Sequence, residues 1–219
     1  MFGSSRSGAH LFLAAALAVL ASAPASAEDV SEAQILKALS PNGIEPPRTR
    51  GLSIGAPAPA VAPVIAASPD AAFVDGLRNK PSRSLSTGER EKLGSLAASK
   101  PQIDLPMEFD YNSDVLRGEA LKNAENLGKA LSSASMRGQT FMIAGHTDAR
   151  GGDATNQRLS ERRADAVKGF LVQKYGIPAA NLITVGYGKA HLKVPADPAS
   201  RENRRVQAVN MMQVQTAGR

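Results

Sequence analysis

The 219 residues contain no cysteine and no tryptophan, and aromatic residues make up only 4%. The lack of cysteine excludes disulfides, thiolate metal sites, thiol nucleophiles and an N-terminal cysteine that could carry a lipid. With so few rings, a core must be built from Leu, Val, Ile and Ala, for which a hydrophobic fraction of 42% is sufficient. No apolar run reaches the ~18 residues that a membrane-crossing helix requires. The formal net charge of +6 suits many anionic partners. The basic residues are scattered, however, and aromatics for base stacking are scarce, which argues against a nucleic-acid partner. Histidine is also rare: the three are His10, His146 and His191.

The N-terminus reads as an export address. Arg6 supplies a positive start, Leu11 to Ala21 form a short apolar run, and Ala25-Ser26-Ala27 is a small-residue cleavage site followed by Glu28-Asp29. This is the grammar of a secretory signal peptide spanning residues 1–27. Cleavage would release a mature chain beginning near Glu28, without a membrane span, into the periplasm.

Beyond it, residues 28–40 predict a short amphipathic helix, with Ser31 as its cap and Ile35, Leu36 and Leu39 on one face. Alone such a helix is marginal, so it docks on something or frays; an envelope protein partner is one candidate. Residues 41–80 read as a Pro/Ala/Gly-rich linker, with Pro46, Pro47, Pro57, Pro59, Pro63 and Pro69 favouring an extended, semi-rigid chain. Residues 81–99 form a helical lead-in, in which Ser86-Thr87-Gly88-Glu89 is a helix start. From residue 100 the pattern changes. Strands are expected at 102–109, 139–144, 182–187 and 204–211, and helices at 118–133 and 157–175. This order implies an α+β domain over residues 100–212, a sandwich of helices packed on one face of a mixed β-sheet. Residues 213–219 form a tail.

One residue in the second of these helices is out of place. Leu159, Ala166, Val167, Phe170 and Leu171 make its apolar stripe, and at ~100° per residue Arg163 falls in the middle of that stripe. Arg162 lies at its edge, within reach of water. An inward guanidinium needs a partner, either a carboxylate in a structural ion pair or a ligand. Just upstream, Gly145-His146-Thr147-Asp148 places a carboxylate at a strand end, and Asn156 is positioned to cap the helix.

These residues together resemble a known family. Gly145-His146-Thr147-Asp148, Asn156, Leu159-Ser160, Arg163-Ala164 and Asn203-Arg204-Arg205-Val206 follow the pattern of the OmpA-like C-terminal domain. Phe109-Asp110-Tyr111-Asn112-Ser113 and Gly186-Tyr187-Gly188 are similar to two further motifs of that family. The resemblance covers roughly residues 100–212. It implies non-catalytic binding of peptidoglycan through the meso-diaminopimelate of its stem peptide, with Asp148 and Arg163 as the charged contacts and Asn112, Thr147 and Asn156 lining the pocket. His146, Arg204 and Arg205 would support it, His146 as a hydrogen-bonded structural residue and the two arginines in ion pairs or on a solvated face. One carboxylate and one guanidinium at fixed separation match the ammonium and carboxylate at the free end of diaminopimelate. The fork of Arg binds a carboxylate in a bidentate way that Lys cannot. The implied role is tethering within a Gram-negative-type envelope, at the outer membrane through peptidoglycan or a partner.

Two other readings compete. An enzyme would use His146 and Asp148 as metal ligands or as an acid–base pair, with His191 as a third ligand, but no His-Glu-x-x-His pattern or nucleophile elbow is present. The expectation is therefore no catalysis, no cofactor and no metal. A protein-interaction adaptor would work through residues 28–70, with wall binding secondary.

Overall fold

In a computed structural model, the structure describes residues 29–40, 69–110 and 112–212. The expected signal peptide, residues 41–68 of the expected linker and the tail at 213–219 lie outside the described residues. The elements are α1 (Glu32–Leu39), α2 (Pro69–Gly76), α3 (Thr87–Ala97), β1 (Gln102–Pro106), α4 (Gly118–Ser132), β2 (Phe141–Gly145), α5 (Asp153–Tyr175), β3 (Leu182–Gly186) and β4 (Arg205–Asn210).

Local signals set most of the boundaries. α1 and α3 both open with a capping box: Ser31 with Gln34, and Ser86 with Glu89, each satisfying two backbone N–H groups that a helix start leaves unpaired. α5 ends at Gly176, whose φ of +63° is a left-handed conformation open to glycine. β1 is shorter than expected because pairing with β4 ends at Pro106, and Met107 and Phe109 continue beyond the sheet. α5 begins four residues earlier than expected, with Gly152 at its cap position. Asn156 is thus inside the first turn and does not cap the helix.

The sheet has the order β1-β4-β2-β3, with β4 antiparallel to both neighbours and β2 parallel to β3. Side chains alternate between its faces, and each face has its own core. Phe141 and Ile143 of β2, Leu182 of β3 and Val206 and Ala208 of β4 pack with α1, α4 and α5. Met142 and Ala144, Ile183 and Val185, and Val209 pack instead with Val74, Leu77, Leu85, Leu93 and Ala97 from the segment containing α2 and α3. The α+β class and mixed sheet are as the sequence indicates. The two helices of the domain, α4 and α5, pack on one face as expected, and the lead-in that precedes the domain covers the other. The linker assignment to residue 80 is corrected: residues 69–76 are helical, and Val74 and Leu77 are buried.

α1 resolves the choice between docking and fraying. Ile35 and Leu39 are fully buried against the chain's own α4 and β1. Val30 N–H donates to Asn123 Oδ1 at 3.1 Å, and Asn210 Nδ2 donates to Leu39 O at 2.9 Å. Burying two such side chains contributes about 1.5–3 kcal/mol each, enough to hold a helix too short to persist alone. The apolar face considered for an envelope partner is therefore occupied internally.

Candidate functional site

The site begins with two glycines. A Cβ on Gly145 would lie 2.2 Å from Ser160 O, and one on Gly186 would lie 2.5 Å from Ser160 Oγ and 2.6 Å from Glu161 N. Only glycine at both strand ends lets α5 rest this close to the sheet. The helix is secured there by Ser160 Oγ, which accepts the Gly188 N–H at 2.8 Å, and by Gln157 Nε2, which donates to Gly186 O at 2.7 Å. With α5 fixed, Asn156, Leu159 and Arg163 share one side of it and overhang the loop after β2.

Between these elements lies a cavity of about 450 Å³. Asn112, Thr147, Asp148, Asn156 and Arg163, the five expected ligand residues, all line it, together with Arg204. Phe109, Arg150, Gly151, Thr155 and Leu159 complete the wall and were not singled out from the sequence. Phe109 had a signal available, since it opens the Phe-Asp-Tyr-Asn-Ser motif. Its ring lies under the Arg163 guanidinium, 4.6 Å from centroid to Cζ, a cation–π contact that stabilises a partly desolvated charge.

Arg163 is 4% exposed. Its Nε donates to Ser113 O at 3.0 Å and its Nη2 to Asp110 O at 3.5 Å. Burial, and then the neighbouring Arg204 cation, push its pKa down to about 10, so it stays charged at neutral pH. Among the described residues it makes no ion pair: its hydrogen-bond acceptors are carbonyls. Asp148 is equally well held. Its Oδ1 accepts the Arg150 N–H at 3.2 Å, and its Oδ2 accepts from Arg204 Nη1 at 3.0 Å. Arg204 thus makes the ion pair near the site that the sequence allowed.

The remaining groups shape the loops. Asn112 has a φ of +52°, a conformation Asn tolerates better than most residues, and its Oδ1 accepts from the exposed Arg162 at 3.2 Å. Asn156 Nδ2 donates to Arg150 O at 2.9 Å, tying the loop after β2 to the helix. Thr147 N–H donates to Gly188 O at 2.9 Å, while its hydroxyl oxygen is buried and has no partner among the described residues. A buried hydroxyl left unpaired is costly, and beside a cavity it suits a ligand.

Two supporting residues are not brought to this cavity. His146 and Arg205 face the opposite side of the sheet and line a separate cavity of about 500 Å³ with Tyr187 and His191. The alternation of β2 continues past its end, so His146 follows Met142 and Ala144 while Thr147 follows Phe141 and Ile143. Arg205 donates through Nε to Asp104 at 3.1 Å and through both Nη atoms to His191 O at 3.3 Å. The His146 ring stacks on Tyr187, with centroids 5.5 Å apart, and its nitrogens are buried beside the His191 backbone. Burial, then the Arg205 charge and His191, lower its pKa to about 3. Because His146 and Asp148 face opposite sides, they do not form the metal or acid–base pair of the enzyme reading. Among the described residues, no three His, Cys, Asp or Glu side chains are grouped to hold a metal.

The fold and site define a class: a small α+β domain with a cavity that presents charges of both signs. Residues 108–206 match the OmpA family model, and they form an OmpA-like domain. The chain is 36% identical over 111 residues to outer membrane porin F of Pseudomonas aeruginosa, covering 49% of this chain and 31% of that protein. It is 38% identical over 82 residues to outer membrane protein A of Serratia marcescens, covering 37% of this chain and 23% of the relative. The chain thus spans a third or less of these relatives' lengths. Among solved structures, it is similar to the OmpA-like domain of FopA1 from Francisella tularensis, with 24% identity, a TM-score of 0.43, and coverage of 49% of this chain and 69% of that one. No helix among the described residues is long and apolar enough to cross a membrane.

Proposed function

We propose that the cavity binds the meso-diaminopimelate of peptidoglycan stem peptides without cleaving them, and so tethers the chain to the cell wall. The observation that carries this reading is the presence of a buried guanidinium, Arg163, and a carboxylate, Asp148, on one cavity of about 450 Å³ that also holds a threonine hydroxyl without a partner among the described residues. The cavity is large enough for an amino-acid side chain and its flanking atoms. The side-chain carboxylate of diaminopimelate would engage Arg163, its ammonium would face Asp148, and Thr147 Oγ1, Asn112 and Asn156 would meet the remaining polar atoms. A lysine-type stem peptide lacks that carboxylate and would leave Arg163 without its anion, a mismatch that buried polar sites reject strongly.

The OmpA family match and two relatives named as outer membrane proteins support an envelope location. With the sequence signature of a signal peptide, the reading is of an exported periplasmic protein held at the wall. The test is sedimentation of the mature chain with diaminopimelate-type and lysine-type walls. Wild type is expected to sediment only with the first, and Asp148→Ala and Arg163→Ala to bind roughly ten- to a hundred-fold more weakly, as befits loss of a charge-assisted contact of ~1.5–3 kcal/mol. A folded wild-type chain that ignores both walls overturns the reading.

A further inference from the structure

The charges on the cavity do not balance. Among the described residues, Arg163 has no carboxylate in contact with it: its acceptors are two backbone carbonyls. The one carboxylate lining the cavity, Asp148, is already engaged by Arg204 at 3.0 Å. Arg204 has little alternative, since the next carboxylate, Glu108, is 4.0 Å away and is held more closely by Arg201 at 3.2 Å. Arg150 adds a further cation at the exposed rim. An ammonium approaching Asp148 must share that carboxylate with Arg204 and meet its repulsion. A ligand that is zwitterionic at the reading point leaves one cation of the cavity uncompensated.

We infer that Arg204 is a specificity-determining residue that makes the site select a stem peptide carrying a second free carboxylate next to the diaminopimelate. The inference rests on the reading of the cavity given above and adds the charge state of its ligand. Chemistry identifies the group: a glutamate joined to diaminopimelate through its γ-carboxyl keeps a free α-carboxylate one residue away. That anion can draw Arg204 partly from Asp148, which frees the carboxylate for the incoming ammonium. The exchange keeps every charge paired, whereas an α-carboxamide at the same place supplies no anion and leaves Arg204 on Asp148.

The test uses the full mature chain and two synthetic probes, N-acetyl-L-alanyl-γ-D-glutamyl-meso-diaminopimelate with the peptide-chain carboxyl of its diaminopimelate amidated, so that only the free-end carboxylate and ammonium remain on that residue, and the same peptide with the glutamate α-carboxylate also converted to the amide. Calorimetry at low salt is expected to show wild type binding the carboxylate form about tenfold more tightly, the effect of one charge-assisted contact. Arg204→Gln should reduce that preference to twofold or less, while Arg204→Lys, which keeps the charge, should retain most of it. Equal binding of both probes by wild type, with binding still lost in Arg163→Ala, overturns the role of Arg204 and leaves the diaminopimelate reading standing. An unchanged preference in folded Arg204→Gln does the same. Failure of wild type to bind either probe overturns both.

Discussion

The two faces of the sheet handle polar residues in opposite ways. At the same strand ends, Thr147 and Arg204 turn to one side and His146 and Arg205 to the other. On the α5 side, among the described residues, Thr147 Oγ1 has no partner, Arg163 hydrogen-bonds to carbonyls, and Asp148 and Arg204 form an ion pair with 12% and 28% of their side chains exposed. On the α3 side, Arg205 is closed off by Asp104 and the His191 carbonyl, and His146 is sealed against Tyr187. Tyr187 itself donates its hydroxyl to Arg90 O at 3.1 Å, joining α3 to the loop after β3, and burial pushes its pKa up to about 12. Neighbouring residues of the same type therefore line one cavity or the other according to the parity of their position in a strand. The lead-in helices outside the family match at 108–206 provide the structural side.

The comparison is broken most severely by removing core from each face in turn. Phe141 belongs to the α5-side core and Leu93 to the α3-side core, and both are fully buried. Phe141→Ala should cost about 3–5 kcal/mol and Leu93→Ala about 2–5 kcal/mol, read by urea denaturation. If α2 and α3 are integral to the domain, Leu93→Ala moves the single unfolding transition. A separate early transition, with the main one unchanged, would show that the lead-in is dispensable.

A smaller effect separates the adjacent arginines. Arg205→Ala removes one partner of Asp104 and should destabilise by about 2 kcal/mol, below the range for a fully buried pair, because Asp104 is 26% exposed and keeps Gln207 at 3.2 Å and Lys193 at 3.7 Å. Wall binding by the folded fraction should stay near that of wild type. A binding loss as large as that of Arg163→Ala would mean that the two faces are not independent.

An effect of similar size, confined to acid and absent at neutral pH, is the pH dependence from His146. Its folded pKa, about 3, lies below the ordinary unfolded value near 6.5. As pH falls below about 6.5, the unfolded chain takes up a proton that the folded chain refuses, so stability declines by up to ~1.4 kcal/mol per pH unit until the folded pKa is reached. The contribution is fully present above pH 6.5. Comparing the pH dependence of urea unfolding between wild type and His146→Leu from pH 7 to 5 should show a shallower slope in the variant. Parallel slopes would refute the sealed, neutral imidazole.

Much of this arrangement was legible because it follows short-range rules. Helical periodicity placed Arg163 on the buried side of α5, and it is 4% exposed. Ser31 and Ser86 marked helix starts that formed as capping boxes. The motif resemblance collected the five residues that line one cavity. The misses have physical reasons. Asn156 was read as a cap because the glycine turn before it was not counted as the helix start. Placing His146 and Arg205 with the site ignored the two-residue alternation carried past the ends of their strands. Reading 69–80 as linker gave weight to Pro69 and overlooked Val74 and Leu77.

By itself, then, the sequence determined the order of elements, the caps, the glycines that admit α5 and the inward direction of Arg163, all consequences of backbone geometry and residue spacing within a few turns. Only the tertiary structure decided the partners. Arg204 rather than Arg163 engages Asp148 across 56 positions, α1 is buried in its own domain, and α3 covers the second face of the sheet. These outcomes depend on which surfaces and charges are brought together once the chain closes, and competition among long-range partners leaves no local trace in the sequence.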